Sequence, residues 1–384
     1  MSSTLRLLLG ALLLFPLALL AQKKNRANQP LEMSPLPATT ALPDAFPQVV
    51  GTQAFGPAYK FTKDEAVLEA AKGISAMGSR ILKINATSGQ QLTPYVAMPF
   101  THYVLWYRSN NEWTKGFTPE LRRREYNAVY LFTKDLLTRY DTAGKTFFLG
   151  HWEGDWYLLP DKDVKKDASP ELIAAMTEWL AVRQKAVDDA RSEVPYAKCR
   201  VYTYAEVNRV RDAMKDGRKR LVNAVLPKAN VDFVSYSAYD CQLLPAEEVR
   251  ATLDYVNAQL PAKAGLPAKR VFIGECGLSW KVCGGDGAQH EQRNREILVK
   301  FLTWKPAMIL FWQYYNNEVV GGEQVGFWLV DNKNQKTPLH TTLTELFAAQ
   351  EEAAKEMRGR TRRLPGYEDI AAFSENWLNA RAPR

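Results

Sequence analysis

The feature that most restricts how this chain can fold is an alternation of short apolar segments of strand type with longer segments of helical spacing. Strand-type segments occupy residues 48–54, 80–84, 102–107, 146–153, 200–205, 231–237, 270–273 and 307–313. Helical apolar spacing occupies 63–77, 118–140, 169–190, 207–226, 245–260, 289–302 and 341–354. Two of the helices carry explicit start signals, Thr118-Pro119 and Ser169-Pro170, in which a hydroxyl cap precedes a proline at the first helical position. Eight strands followed by helices at this even spacing predict a single α/β domain, a (β/α)8 barrel, because a doubly wound sheet rarely needs eight such units. The prediction has a chemical consequence. In such a barrel the C-terminal ends of all strands open on one mouth, so polar residues far apart in sequence meet there.

The barrel is expected over residues 48–354. Ahead of it, Arg6 precedes an apolar run over 7–21, followed by Gln22, Lys23 and Lys24, which reads as a signal peptide over 1–21. The run is shorter than the ~20 residues a spanning helix needs and Pro16 interrupts it, so a secreted or periplasmic protein with no integral membrane segment is expected after its removal. Residues 22–47 hold Pro30, Pro35, Pro37, Pro43 and Pro47 and read as a linker. Residues 355–384 read as a charged tail, in which 367–379 could dock as a short helix.

The chain has 50 basic and 42 acidic residues, a mild excess without a long basic tract in its middle. Its aromatic residues are not interleaved with Lys and Arg as a nucleic-acid-binding sheet requires, so no nucleic-acid partner is expected. The four histidines, His102, His151, His290 and His340, and the four cysteines show no CxxC or HxxxH spacing, so no metal and no cofactor is expected. Cys199, Cys241, Cys276 and Cys283 allow three disulfide pairings; Cys276 with Cys283 is the easiest locally, and free buried thiols are the other reading.

The strand ends carry the chemistry. The stretch FFLGHWEGDW, residues 147–156, begins as a buried strand and ends in His151, Trp152, Glu153, Asp155 and Trp156. Strict alternation from Phe147 would put Leu149, His151 and Glu153 on one inward row and Trp152 on the other face. A carboxylate beside indole rings is a pattern of sugar sites. RVFIGECG, residues 270–277, repeats the arrangement with Val271, Ile273 and Glu275 on one face and glycines that let a ligand approach the backbone. AEVN, residues 205–208, gives Glu206 and Asn208 a similar station, with Glu206 read as a substrate contact or a supporting carboxylate. Lys83 and Asn85 close the second strand. Two carboxyl groups flanking one bond are what glycoside hydrolysis requires.

At these residues the chain resembles the glycoside hydrolases of clan A, (β/α)8 barrels with an acid/base Glu at the end of strand four and a nucleophilic Glu at the end of strand seven. GECG, residues 274–277, is similar to the family's seventh-strand pattern, which implies Glu275 as nucleophile and Glu153 as acid/base. LFWQYYNNE, residues 310–318, resembles the eighth strand and implies Trp312 as the floor under the sugar. GFWLVDNKNQKTP, residues 326–338, is similar to the segment that follows in many members. SYSAYD, residues 235–240, resembles the sixth-strand segment; Tyr239 matches the family's Tyr, implied to hydrogen-bond the nucleophile, and Ser237 stands where the family has His. With Tyr236 from the same segment, the substrate-contact set is His151, Trp152, Trp156, Glu206, Asn208, Tyr236, Tyr239, Trp280 and Trp312. The resemblance thus implies a retaining glycosidase acting on an oligo- or polysaccharide. One position departs: the family places Asn before the acid/base, where this chain has Trp152. That departure motivates a second reading, a carbohydrate-binding barrel without turnover.

Overall fold

The computed structural model describes residues 48–107, 111–141, 145–363 and 365–381. The expected signal peptide and Pro-rich linker, residues 1–47, lie outside the described residues. Eight parallel strands close on themselves: β1 Val50–Gln53, β2 Ile81–Ala86, β3 His102–Tyr107, β4 Thr146–Gly150, β5 Arg200–Val207, β6 Phe233–Ser237, β7 Val271–Cys276 and β8 Ile309–Phe311, with β1 bonded to both β2 and β8. This is the (β/α)8 barrel that the alternation predicts.

The outer helices are α1 Ala66–Ala76, α2 Pro119–Arg139, α3 Pro170–Glu193, α4 Val210–Asp216, α5 Ala246–Ala258, α6 Gly287–Leu302, α7 Pro338–Thr361 and α8 Tyr367–Asn379. Thr118 and Ser169 cap α2 and α3 by accepting from Leu121 N and Leu172 N. Two connections differ from the expected pattern. Between β2 and β3 the principal helical element is the single turn Thr93–Val96. The continuous helix expected over 207–226 is in fact broken, because β5 runs on to Val207 and α4 stops at Gly217, whose φ of 64° ends a helix at no steric cost. A wide helical turn, Leu221–Val225, and the turn Leu226–Ala229 then complete the crossover.

Side chains divide between two cores. Ile81, Val104, Phe148, Tyr202, Tyr204, Phe233, Phe272 and Leu310 pack together inside the barrel. Leu82, Ile84, Phe147, Leu149, Val201, Val271 and Ile273 pack outward with helix residues such as Val129, Leu136, Trp179, Leu298 and Leu343. The expected inward rows of β4 and β7 are therefore corrected: Phe147, Leu149, Val271 and Ile273 face the helices, and Phe148 and Phe272 face the lumen.

Helix α7 crosses residue 354, where the barrel was expected to end. Helix α8 folds back on α6 and α7 with Ile370, Ala371 and Leu378 buried, and Gln350 Nε2 donates to Ser374 Oγ at 2.7 Å. All four cysteines are free and buried. Cys276 and Cys283 do not pair, because Cys276 lies within β7 and its thiol approaches Leu310 O, whereas Cys283 lies beyond a turn beside Arg293. No helix among the described residues is long and apolar enough to cross a membrane.

Candidate active site

Neither glutamate reaches the mouth by strand alternation. Strand β4 stops at Gly150, where a Cβ would lie 2.5 Å from the Tyr204 ring. The next residues leave strand geometry and are sewn onto the end of β5. Glu153 N donates to Glu206 Oε1 at 3.1 Å and Gly154 N to Glu206 O at 2.8 Å. The buried Asp155 carboxylate accepts from Asn208 N, Arg209 N and Leu221 N at 3.0, 3.1 and 2.7 Å. These bonds turn Glu153 inward. On the other side, the β7 register shifts against β8 between Ile273 and Cys276, and against β6 between Tyr236 and Ser237. An extra residue of this kind re-aims the side chain after it. Gly274 takes the lumen position, where a Cβ would come within 1.8 Å of Ser235 Oγ and 2.7 Å of Glu206 Oε2, and Glu275 turns into the mouth.

The two carboxyl groups have different partners. Glu153 Oε1 accepts from Ser237 Oγ and its Oε2 from Trp156 Nε1, each at 2.6 Å. Glu275 Oε1 accepts from Lys83 Nζ at 3.3 Å. Lys83 is fully buried and also donates to Glu206 Oε2 at 2.9 Å and Gly274 O at 3.0 Å, 4.8 Å from the centre of the Trp106 ring. Ser235 Oγ completes the lower layer by donating to Glu206 Oε2 at 2.6 Å. Burial raises the Glu153 carboxyl above its ordinary range, against the hydrogen bonds from Ser237 and Trp156. Burial also raises Glu275, with Lys83 opposing and the Glu206 and Glu153 charges reinforcing the rise. Three carboxyl groups share one ammonium, so the site favours holding a proton. Lys83 touches Glu275 and not Glu153, so the one cation of the layer supports the Glu275 charge directly, although burial raises that carboxyl well above its ordinary range.

Both glutamates open on a cavity of about 620 Å³ lined by Phe55, Gly56, Asn85, Trp106, Trp152, Glu153, Tyr239, Glu275, Trp312, Asn317, Glu318 and Phe327. Trp312 lines it, 6 % exposed, and is stacked beside Phe55 and Trp106 at centroid distances of 5.6 and 6.2 Å. Its Nε1 donates to Glu318 Oε1 at 3.2 Å. An adjoining cavity of about 410 Å³ is lined by Trp106, Tyr107, Asn111, His151, Trp152, Tyr157 and Trp179, so Trp106 and Trp152 border both. A groove of about 910 Å³ along the outside of α3 includes no strand-end residue.

Of the residues singled out by sequence, Glu153, Glu275, Trp152, Tyr239 and Trp312 line the main cavity, and His151 lines the adjoining one. Trp156 holds Glu153. Glu206 lies wholly buried beneath the cavity as the common partner of Lys83, Ser235 and the Glu153 backbone. Asn208 faces Asp155, whose N–H its Oδ1 accepts at 3.2 Å. Tyr236 belongs to the outer core and donates to Asp240, since alternation in β6 gives the lumen to Ser235 and Ser237. Trp280 packs on His290 and Trp328. The hydrogen bond expected from Tyr239 to Glu275 is replaced by that from Lys83; burial, with the neighbouring carboxylates adding to it, holds the Tyr239 phenol well above its usual range. Sequence reasoning missed Trp106, Phe55, Asn317, Glu318 and Phe327. Trp106 was within reach, because His102, Val104 and Trp106 alternate toward the lumen.

The chain is thus an eight-stranded (β/α)8 barrel whose mouth gathers paired carboxyl groups among indole rings. No protein-family model matches the chain, and no curated protein sequence matches it. Among solved structures it is similar to the exo-β-1,4-mannosidase of Opitutaceae bacterium strain TAV5, with a TM-score of 0.54 and 12% identity over 84% of this chain and 63% of that one. A GH2 β-galacturonidase from Eisenbergiella tayi bound to galacturonate gives a TM-score of 0.50 at 10% identity, covering 79% and 51%. A β-glucuronidase from Ruminococcus gnavus gives 0.49 at 9% identity, covering 78% and 51%. The chain thus spans about half the length of the last two. At these identities the likeness to the mannosidase and the galacturonidase shows the barrel fold alone.

Proposed function

We propose that the protein is a glycoside hydrolase that cleaves an O-glycosidic bond by retaining double displacement. The observation that carries this reading is the convergence of Glu153, beyond β4, and Glu275, at the end of β7, on one cavity also lined by Trp312. Glu275, its charge supported by Lys83, attacks the anomeric carbon while Glu153 passes its proton to the departing oxygen, giving a glycosyl ester on Glu275 and a free alcohol. Glu153, now a carboxylate, takes a proton from water as the water oxygen attacks the same carbon and Glu275 leaves. The mannosidase and galacturonidase names of similarly folded proteins agree with a sugar substrate. The N-terminal apolar run supports a secreted or periplasmic location.

Trp152 favours a second reading, a carbohydrate-binding barrel without turnover. It stands where clan A members have Asn, and it is 39 % exposed on the wall shared by the two cavities. A panel of aryl glycosides and polysaccharides separates the two. Hydrolysis is expected, with product of retained anomeric configuration by NMR, and Glu153→Ala and Glu275→Ala are each expected to lower kcat by roughly 10² to 10⁴. Sugar binding without hydrolysis selects the second reading, and an inverted product removes Glu275 as nucleophile.

A further inference from the structure

The cavity wall has an unusual balance of charge and hydrogen-bonding groups. Among the described residues that line the cavity, three are glutamates, Glu153, Glu275 and Glu318, and none is Lys, Arg or His. Lys83, the cation that underlies it, is wholly buried and already bonded to Glu206, Glu275 and Gly274 O. Glu318 is exposed at the rim. It is fixed there because Trp312 Nε1 donates to its side chain, and Asn316 Nδ2 and Val325 N donate to its carbonyl at 2.6 and 2.9 Å. Among the neutral polar groups, Asn85 Oδ1 and Asn317 Oδ1 are buried acceptors without a hydrogen-bond partner. Trp106 Nε1 is an unpartnered donor beside them.

A wall so rich in acceptors fits a ligand that brings donors. Sugar hydroxyls donate, so one that reaches the exposed Glu318 carboxylate replaces the water lost on binding, and one that reaches Asn85 or Asn317 partners an oxygen that has none. A ring carboxylate only accepts. It would sit in a partly water-excluded cavity among like charges, with no cation among the described wall residues to pair with. We propose that this site takes an uncharged sugar ring and rejects a uronate, with Glu318 setting the preference at the rim. The inference deepens the glycosidase reading, on which it rests for the cavity being a sugar site.

The test uses matched pairs in the full-length protein: 4-nitrophenyl glucosides against glucuronides, and galactosides against galacturonides, in both anomers. In parallel, indole fluorescence is titrated with the corresponding methyl glycosides and methyl glycosiduronates. The expected result is at least a tenfold preference for the neutral member in kcat/KM or in Kd. In Glu318→Gln the neutral-to-uronate ratio should shrink at least threefold, and in Glu318→Lys it should shrink further. Equal or better use of the uronate overturns the proposal, as does failure of both members to bind. A preference that is the same in both variants removes Glu318 from it. Binding of the neutral sugar without turnover counts against hydrolysis and supports this inference, so the two readings fail separately.

Discussion

Glu153 is defined by what touches its two oxygens. Ser237 and Trp156 each donate a 2.6 Å hydrogen bond to it, and a hydrogen bond to a carboxylate favours the charged form, whereas burial favours the neutral one. The balance leaves the group raised, as a proton donor working near neutrality requires. Removing the Ser237 hydroxyl takes away one stabiliser of the anion, so Ser237→Ala should raise the Glu153 pKa further. A hydrogen bond of about 1 kcal/mol corresponds to somewhat under ~1 pH unit. The basic limb of the kcat/KM profile on an aryl glycoside should therefore move to higher pH by about that amount. An unmoved or downward-shifted limb would detach Glu153 from that ionisation.

At the scale of elements, α8 shows how far the fold extends beyond the eight repeating units. Its first residue, Tyr367, packs against the lumen cluster, which at the end away from the mouth includes Ala307 and Met308 just before β8. Ile370, Ala371 and Leu378 bury against α6 and α7, and Arg295 Nη1 donates to Leu378 O at 3.2 Å. Deleting residues 365–384 re-exposes the partner surfaces of at least two large aliphatic side chains and is expected to cost roughly 4 kcal/mol in urea unfolding. The kcat of the molecules that remain folded should be unchanged, because α8 contributes nothing to the mouth. A truncated chain as stable as the full one would show that α8 only rests on the surface. The sequence made α8 legible through its own apolar spacing, just as it made the barrel legible through alternation. It did not show how the glutamates turn inward. That depends on the β7 register shifts and on Asp155 clamping the β4 and β5 ends together, both long-range pairings that no local periodicity encodes. The same limit explains why Tyr236 and Asn208 read as site residues: Tyr236 lies between the lumen residues Ser235 and Ser237 and Asn208 two residues after Glu206, yet one faces the outer core and the other faces Asp155.

For the whole molecule, gathering Glu153, Glu206 and Glu275 around one buried lysine costs stability at the pH where the site works. A carboxyl whose folded pKa is raised above its unfolded value binds its proton more tightly in the native state, so it favours folding below the unfolded pKa. That contribution is lost as pH rises through the folded pKa. Glu275 is raised by burial and by its two carboxylate neighbours, against Lys83 alone, so above its folded pKa its net effect is destabilising. Glu275→Gln keeps the shape of the side chain and removes the charge, and Lys83 retains Glu206 at 2.9 Å. The variant should therefore be inactive yet more stable than the parent at pH values above the folded pKa of Glu275, by roughly 1–2 kcal/mol, as expected where a site holds charges that folding alone would not select. The difference should shrink as pH falls toward 4.5, where the parent's own carboxyl is protonated. Urea midpoints of both proteins at pH 7.5, 6 and 4.5 measure this directly. A variant less stable than the parent at every pH would mean that the Lys83–Glu275 contact outweighs the crowding of charge, and that the carboxylate is held for stability as well as for chemistry.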